Sequence, residues 1–168
     1  MARDARAFER LYVEHEPELY RYLARRLGPT KAEDAVAEAF AAAWRGFPDV
    51  DASLAMRTWL LGLAVEYVRT RRDDELEYLG VPHAHTASPV ALALAELDPV
   101  DRDMLTLRVW AGLSDDGIAE VTSVPVESVG VRVHAAHEHV RRRATGHRRA
   151  HRPCESEGNR DHFEDNHT

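Results

Sequence analysis

The residues from Leu113 to Arg143 have the types and the spacing of a DNA reader. Ser114 stands where it can cap a helix, and Asp115 and Asp116 fall in a first turn, where the helix dipole favours acids. Ile118, Ala119 and Val121 make a short apolar face, Thr122 and Ser123 interrupt it, and Pro125 suits the first turn of a second helix. Val129, Val133, Ala136 and Val140 then recur at spacings of four, three and four, a buried stripe running into Arg141, Arg142 and Arg143. This is a helix-turn-helix pattern, whose second helix normally enters the major groove. A helical hairpin that only packs would carry the same periodicity.

Glu33, Asp34 and Glu38 form a second group. Asp34 and Glu38 share a helix face at i, i+4, so the three acids suit a basic partner. Acids near a helix start also simply complement the dipole. The ten histidines include His134 and His137 one turn apart, and His147 with His151 ahead of Cys154, a set that could offer three ligands to a soft divalent metal. A polar tail of biased composition accounts for these equally, and no metal site is expected. There is no phosphate-cradling glycine loop, no nucleophile elbow and no paired Cys/His zinc spacing. The chain reads as a binding protein without a cofactor, not as an enzyme.

The elements that must hold these groups are helices. Phe8, Leu11, Tyr12, Leu19, Tyr22, Leu23 and Leu27 form one helical stripe, with Pro17 a kink or break. Gly28-Pro29 ends it, and Thr30 with Glu33 reads as a capping box opening a helix through Ala35, Val36, Ala39, Phe40 and Ala43 to Trp44. Met56 to Arg72 forms a third helix with Trp59, Leu60, Leu63, Ala64 and Tyr67 inward. Asp98-Pro99 opens another, with Leu105, Leu107 and Val109 apolar. The fold class is therefore all-α: a helical domain over residues 1–74, a flexible linker without periodicity over 75–90, a helix-turn-helix domain over 91–146 and a disordered polar tail over 147–168. The linker would let the two domains close on one another or around a partner.

Composition narrows the setting. No apolar run reaches the length of a membrane span, the N-terminus lacks the apolar core of a secretory signal, and a single cysteine rules out an internal disulfide framework. A cytoplasmic location is expected. The net charge is −7, with 12 Lys+Arg against 15 Asp+Glu in residues 1–80 and 6 against 9 in residues 81–146. Neither half is basic, so DNA contact must come from local patches and be weak.

Four segments in order carry a family resemblance: FERLYVEHEPELYRYLARRLG, AEDAVAEAFAAAWRGF, MRTWLLGLAVEYVRTRR, and the stretch from LAELDPVDR to HVRRR. Over residues 7–73 and 91–143 the chain resembles the small two-domain sigma factors of bacterial RNA polymerase, the extracytoplasmic-function group. The resemblance implies promoter recognition and transcription initiation, with core RNA polymerase and promoter DNA as partners and an anti-sigma factor as a further one. It implies polymerase docking through Glu33, Asp34, Glu38, Phe40 and Trp44. It implies reading of a −10 element by Arg57, Trp59, Glu66, Arg69, Thr70, Arg71 and Arg72, and of a −35 element by Glu127, Ser128, Arg132 and His137.

The chain departs from the family at several of these positions. Ala37 stands for a usual glutamine, Glu66 for asparagine and Thr70 for aspartate. Gly130 stands for lysine, and Ala135 and His137 for arginines, removing basic positions that would touch phosphate. Gly117 removes the glutamate that would complete a capping box with Ser114. An alternative follows: a sigma-derived regulator that docks on polymerase or a partner but reads promoter DNA poorly.

Overall fold

The computed structural model describes residues 5–47, 53–81 and 87–150, with side chains at 5–47, 56–81 and 87–146. Eight helices make up the described part: α1 (Ala5–Leu27), α2 (Pro29–Gly46), α3 (Ser53–Thr70), α4 (Arg72–Tyr78), α5 (Pro89–Ala95), α6 (Pro99–Trp110), α7 (Asp115–Thr122) and α8 (Val126–Ala150). No strand occurs among the described residues. The chain is all-α, as its periodicities require.

α1 runs unbroken through Pro17, because Leu11, His15, Leu19, Tyr22 and Leu23 keep one buried face across it. The packing of that face outweighs the one backbone bond that proline removes. α2 begins two residues before the expected capping box. Gly28 is its N-cap, at φ 83°, Pro29 takes the first helical position, and no side chain caps the end. The fixed φ of Pro29 starts the helix by itself. Gly28 also closes α1, donating its N–H to the Ala24 carbonyl at 3.0 Å. A β-carbon there would lie 2.8 Å from the Tyr78 ring, so this glycine both turns the chain and admits α4. At the far end Phe8 packs edge-on against Phe40, Trp44 and Phe47.

The segment expected as a linker is partly helical. α4 extends to Tyr78, and Glu75 and Leu79 are buried. A hydrophobic-periodicity reading misses α4 because its inward anchor is a carboxylate. The remaining connection runs to Ser88, and residues 82–86 lie outside the described set.

In the second half Asp98 caps α6, accepting from the Val100 N–H at 2.9 Å. Met104, Leu105 and Leu107 face inward, while Val109 is exposed, out of register with that face. Ser114 caps α7 by accepting from the Gly117 N–H at 3.3 Å. Ser123, left-handed at φ 56°, then turns the chain into α8. Ile118, Val129 and Ala136 are buried, with Val133 and Val140 packed beside them. α8 continues to Ala150, beyond the start expected for the disordered tail. The rest of that tail, with Cys154, lies outside the described residues.

One apolar cluster joins the two halves. It contains Leu19, Leu23, Phe40, Leu60 and Val65 from the first, and Met104, Leu107, Leu113, Ile118 and Val129 from the second.

Candidate nucleic-acid and polymerase interface

α3 has no polar face along most of its length, and a helix apolar all round must be buried all round. Leu60 and Ala64 are buried as expected and Trp59, Leu63 and Tyr67 half-buried, but Leu61, Val65 and Val68 are buried as well. The additional cover comes from the second half, since α7 lies against α3. Two glycines lie at this contact, each with room for a β-carbon. A β-carbon on Gly117 would stand 3.5 Å from the Thr58 hydroxyl, and one on Gly62 would stand 3.9 Å from Cγ2 of Val121. Gly117, read from sequence as a lost capping residue, has its place in this helix contact.

Beside that contact lies a buried ionic cluster. Arg26 on α1, Glu75 on α4, and Arg102 and Asp103 on α6 are each at most 3% exposed. The Arg26 guanidinium donates from Nε to Glu75, from Nη2 to Asp103 at 2.8 Å, and from Nη1 to the hydroxyls of Tyr22 at 2.7 Å and Thr106 at 3.1 Å. Arg102 donates to the other oxygen of Glu75 at 2.7 Å and to the carbonyls of Leu94, Ala95 and Leu97. Arg69 donates from Nε to the second oxygen of Asp103 at 2.9 Å. Every oxygen of the two carboxylates therefore has a guanidinium partner. Burial opposes the charge on Arg26, but Tyr22, Glu75 and Asp103 outweigh it and hold the group protonated above its ordinary range. Burial likewise pushes the Tyr22 phenol above its usual value, partly offset by Arg26.

The residues expected to read a −10 element divide by partner. Arg57 is gripped by Glu18, with Nε 2.9–3.0 Å from both carboxylate oxygens, and also donates to the Ala111 carbonyl across the two halves. Arg69 is held by Asp103, with exposed Glu66 4.0 Å away. Trp59 is half-buried beside Gly46, a packing residue in this arrangement. Thr70 bonds back to the Tyr67 carbonyl at 2.7 Å. Arg71 lies 5.4 Å from the centroid of the Tyr67 ring, and Arg72 is exposed at the start of α4.

On α8 the exposed face carries Glu127, Gly130, Val131, His134 and Ala135, with Val131 73% exposed. Ser128 bonds the Pro125 carbonyl at 2.8 Å, reinforcing the helix start. Arg132 is held by Asp101 at 2.7 Å, with Asp98 4.0 Å away. His137 is exposed, 4.0 Å from Glu138. No group of three or more His, Cys, Asp or Glu with metal-holding geometry occurs among the described residues.

The expected polymerase-facing set separates into two kinds. Glu33, Asp34 and Glu38 are exposed on the outer side of α2 and make no ion pair among the described residues. Phe40 is 4% exposed and Trp44 half-buried, both packed against Phe8. Their place is the core, where they fix the face that presents the acids. Sequence reasoning missed Arg26, Glu75, Arg102 and Asp103. One signal was available: Arg26 falls four residues after Tyr22, on the apolar stripe of α1.

Two helical halves therefore pack together, the second containing a helix-turn-helix, with acids exposed on α2 and arginines on α3 and α8. Residues 11–74 match the family model for sigma-70 region 2, and residues 88–140 match that for sigma-70 region 4. No curated protein matches the chain in sequence. Among solved structures, CnrH in complex with the cytosolic domain of CnrY shares the fold with a TM-score of 0.65 and 25% identity, over 89% of this chain and 92% of that one. The chain belongs to the sigma-70 family, in its extracytoplasmic-function group.

Proposed function

We propose that the chain works as a sigma factor whose parts divide the labour by helix. Regions 2 and 4 together in one short chain carry this reading. Glu33, Asp34 and Glu38 on α2 dock on a basic surface of core RNA polymerase. α3 and the arginines at its C-terminal end meet the −10 element. α7 and α8 meet the −35 element, with Glu127, Ser128, Arg132 and His137 nearest the bases and backbone. On this reading the first functional unit is residues 1–74 and the second is 91–146, with 75–90 between them and 147–168 a tail. The protein acts in the cytoplasm by binding and positioning, without chemistry of its own. No described helix is long and apolar enough to cross a membrane. CnrH was solved with the cytosolic domain of CnrY, and an anti-sigma factor is a further partner on this reading.

Transcription by core polymerase plus this chain, on fragmented genomic DNA with sequencing of the transcript 5′ ends, tests the reading. Starts that recur downstream of one shared pair of elements, and vanish without the chain, are expected. Starts no different from those of core enzyme alone would favour the alternative of a regulator that docks but reads DNA poorly. That alternative draws support from the exposed face of α8 between Glu127 and His137, which carries no lysine or arginine, and from the carboxylates that already hold Arg57, Arg69 and Arg132.

The recognition helix makes its own prediction. Gly130→Lys with Ala135→Arg adds two cations to an exposed face, and removing the glycine strengthens the helix by about 1 kcal/mol. A β-carbon at position 130 meets only Asp115, at 3.7 Å, so the lysine fits. Binding of the full chain to a mixed-sequence duplex should tighten, and the slope of log K against log salt should steepen by up to about two. An unchanged slope would mean that this face does not meet the backbone.

A further inference from the structure

We propose that α6 carries an internal competitor for DNA: Asp101 and Asp103 occupy Arg132 and Arg69, and the buried cluster around Arg26 and Glu75 latches the two regions together until that competition is broken. The proposal rests on the sigma-factor reading above and adds a regulatory contact within the chain.

Its first support is where the carboxylates sit. Arg69 belongs to α3 and Arg132 to α8, the two helices assigned to separate promoter elements. Both arginines are bound by acids from one short segment, Asp98 to Asp103, at the start of α6. A carboxylate that accepts from a guanidinium uses the same donors a phosphate would use. Arg57 is likewise spent on Glu18 and on the Ala111 carbonyl of the other region.

The second support is the chemistry of the latch. Its bonds run from region 2 and α4 to region 4: Arg26 to Asp103 and Thr106, Arg69 to Asp103, and Glu75 to Arg102. The apolar cluster shared by the regions would resist separation outright, because opening exposes it to water. Ions behave differently. Separated, they recover their hydration, and the Coulombic gain of closing is largely offset by desolvation. The ionic part of the contact therefore adds little to the cost of opening, and the apolar part is offset when a polyanion or polymerase binds only the open form.

The third support is the position of Asp103. Its carboxylate partners, Arg26 and Arg69, both lie in region 2, so in an opened chain it would be solvated and region 4 would not need it. Asp103→Asn thus weakens closure while sparing the fold of each region.

The test uses the full chain with Cys154→Ser and dyes on cysteines placed at exposed Glu38 and Val109. Energy transfer reports closure, and fluorescence anisotropy with a mixed-sequence 30-base-pair duplex reports DNA binding. Asp103→Asn should lower transfer and tighten duplex binding at least tenfold, as expected when a binding-competent state of less than about one-hundredth population becomes a substantial one. Transfer and affinity both unchanged, in a variant whose helicity is retained, would overturn the latch. Lower transfer without tighter binding would overturn the competitor role and count against the DNA-reading assignment itself, while polymerase docking through α2 stays separately testable.

Should Asp103→Asn fail to fold, a second chain decides. Cysteines at Gly62 and Val121, where α3 meets α7, lock closure when oxidised. The oxidised chain should lose duplex binding at least tenfold and regain it on reduction. Equal binding in both redox states would overturn the proposal.

Discussion

Replacing Arg26 with methionine should lower the unfolding free energy of the full chain by about 3–5 kcal/mol. The substitution leaves one oxygen of Glu75 and one of Asp103 buried without their cation, and removes the donor shared by Tyr22 and Thr106. Methionine fills much of the same volume, so the loss reports unpaired charge more than a cavity. Against a typical domain stability of about 5–15 kcal/mol, this is a large fraction. In urea the transition midpoint should fall, and for a chain of this size the thermal midpoint should drop by about 10 °C. Adding Asp103→Leu should restore part of the stability, because that carboxylate is then no longer buried without its cation, while Glu75 keeps Arg102. Arg102 keeps its three carbonyl partners in that variant, and Arg69, about one-third exposed, can turn to water. A loss below about 1 kcal/mol for Arg26→Met would show that the cluster is hydrated in solution.

Reversing Asp34 and Glu38 to lysine should weaken capture of core RNA polymerase at least about tenfold at physiological salt, since each change replaces an attraction with a repulsion toward a basic partner. Both residues are exposed on α2, and lysine is as good a helix former as glutamate, so circular dichroism should not change. The acids make no ion pair among the described residues, so their loss removes no described internal support. Raising salt should narrow the difference from the parent chain. Undiminished capture would place polymerase docking on another surface. A Phe40 substitution could not give this answer, because that ring is in the core and its removal would disturb α1 and α2 together.

What could be read from sequence follows the physics of each element. The helix-turn-helix is legible because its signals are local: Ser114 caps α7, and Val129 and Ala136 recur at the helical period on its buried side. The outward acids of α2 were legible for the same reason. The closed arrangement of the two regions was not. It depends on charged residues in buried positions, and a periodicity reading treats Arg26, Glu75, Arg102 and Asp103 as surface. α3 held a clue in Leu61, Val65 and Val68, too many apolar residues for a helix with one covered face. The Thr30 capping box shows the converse error, a valid local motif overridden by Pro29 one position earlier. For the candidate site, residue types were legible and their present partners were not. Arg57, Arg69 and Arg132 lie on the expected helices, but the acids that hold them come from distant stretches of chain.

Glu75 lies just past the segment matched to region 2 and well before the one matched to region 4, yet it touches both through Arg26 and Arg102. The two regions are consequently not interchangeable parts. A chimaera that grafts region 4 of another sigma factor onto residues 1–74 of this one would inherit an unanswered arginine at position 26, unless the graft brings an acid at the place of Glu75 and another at the place of Asp103. Exchange of promoter specificity between such chains is therefore constrained at residues that touch no base. In any set of descendants these four side chains should change together or not at all.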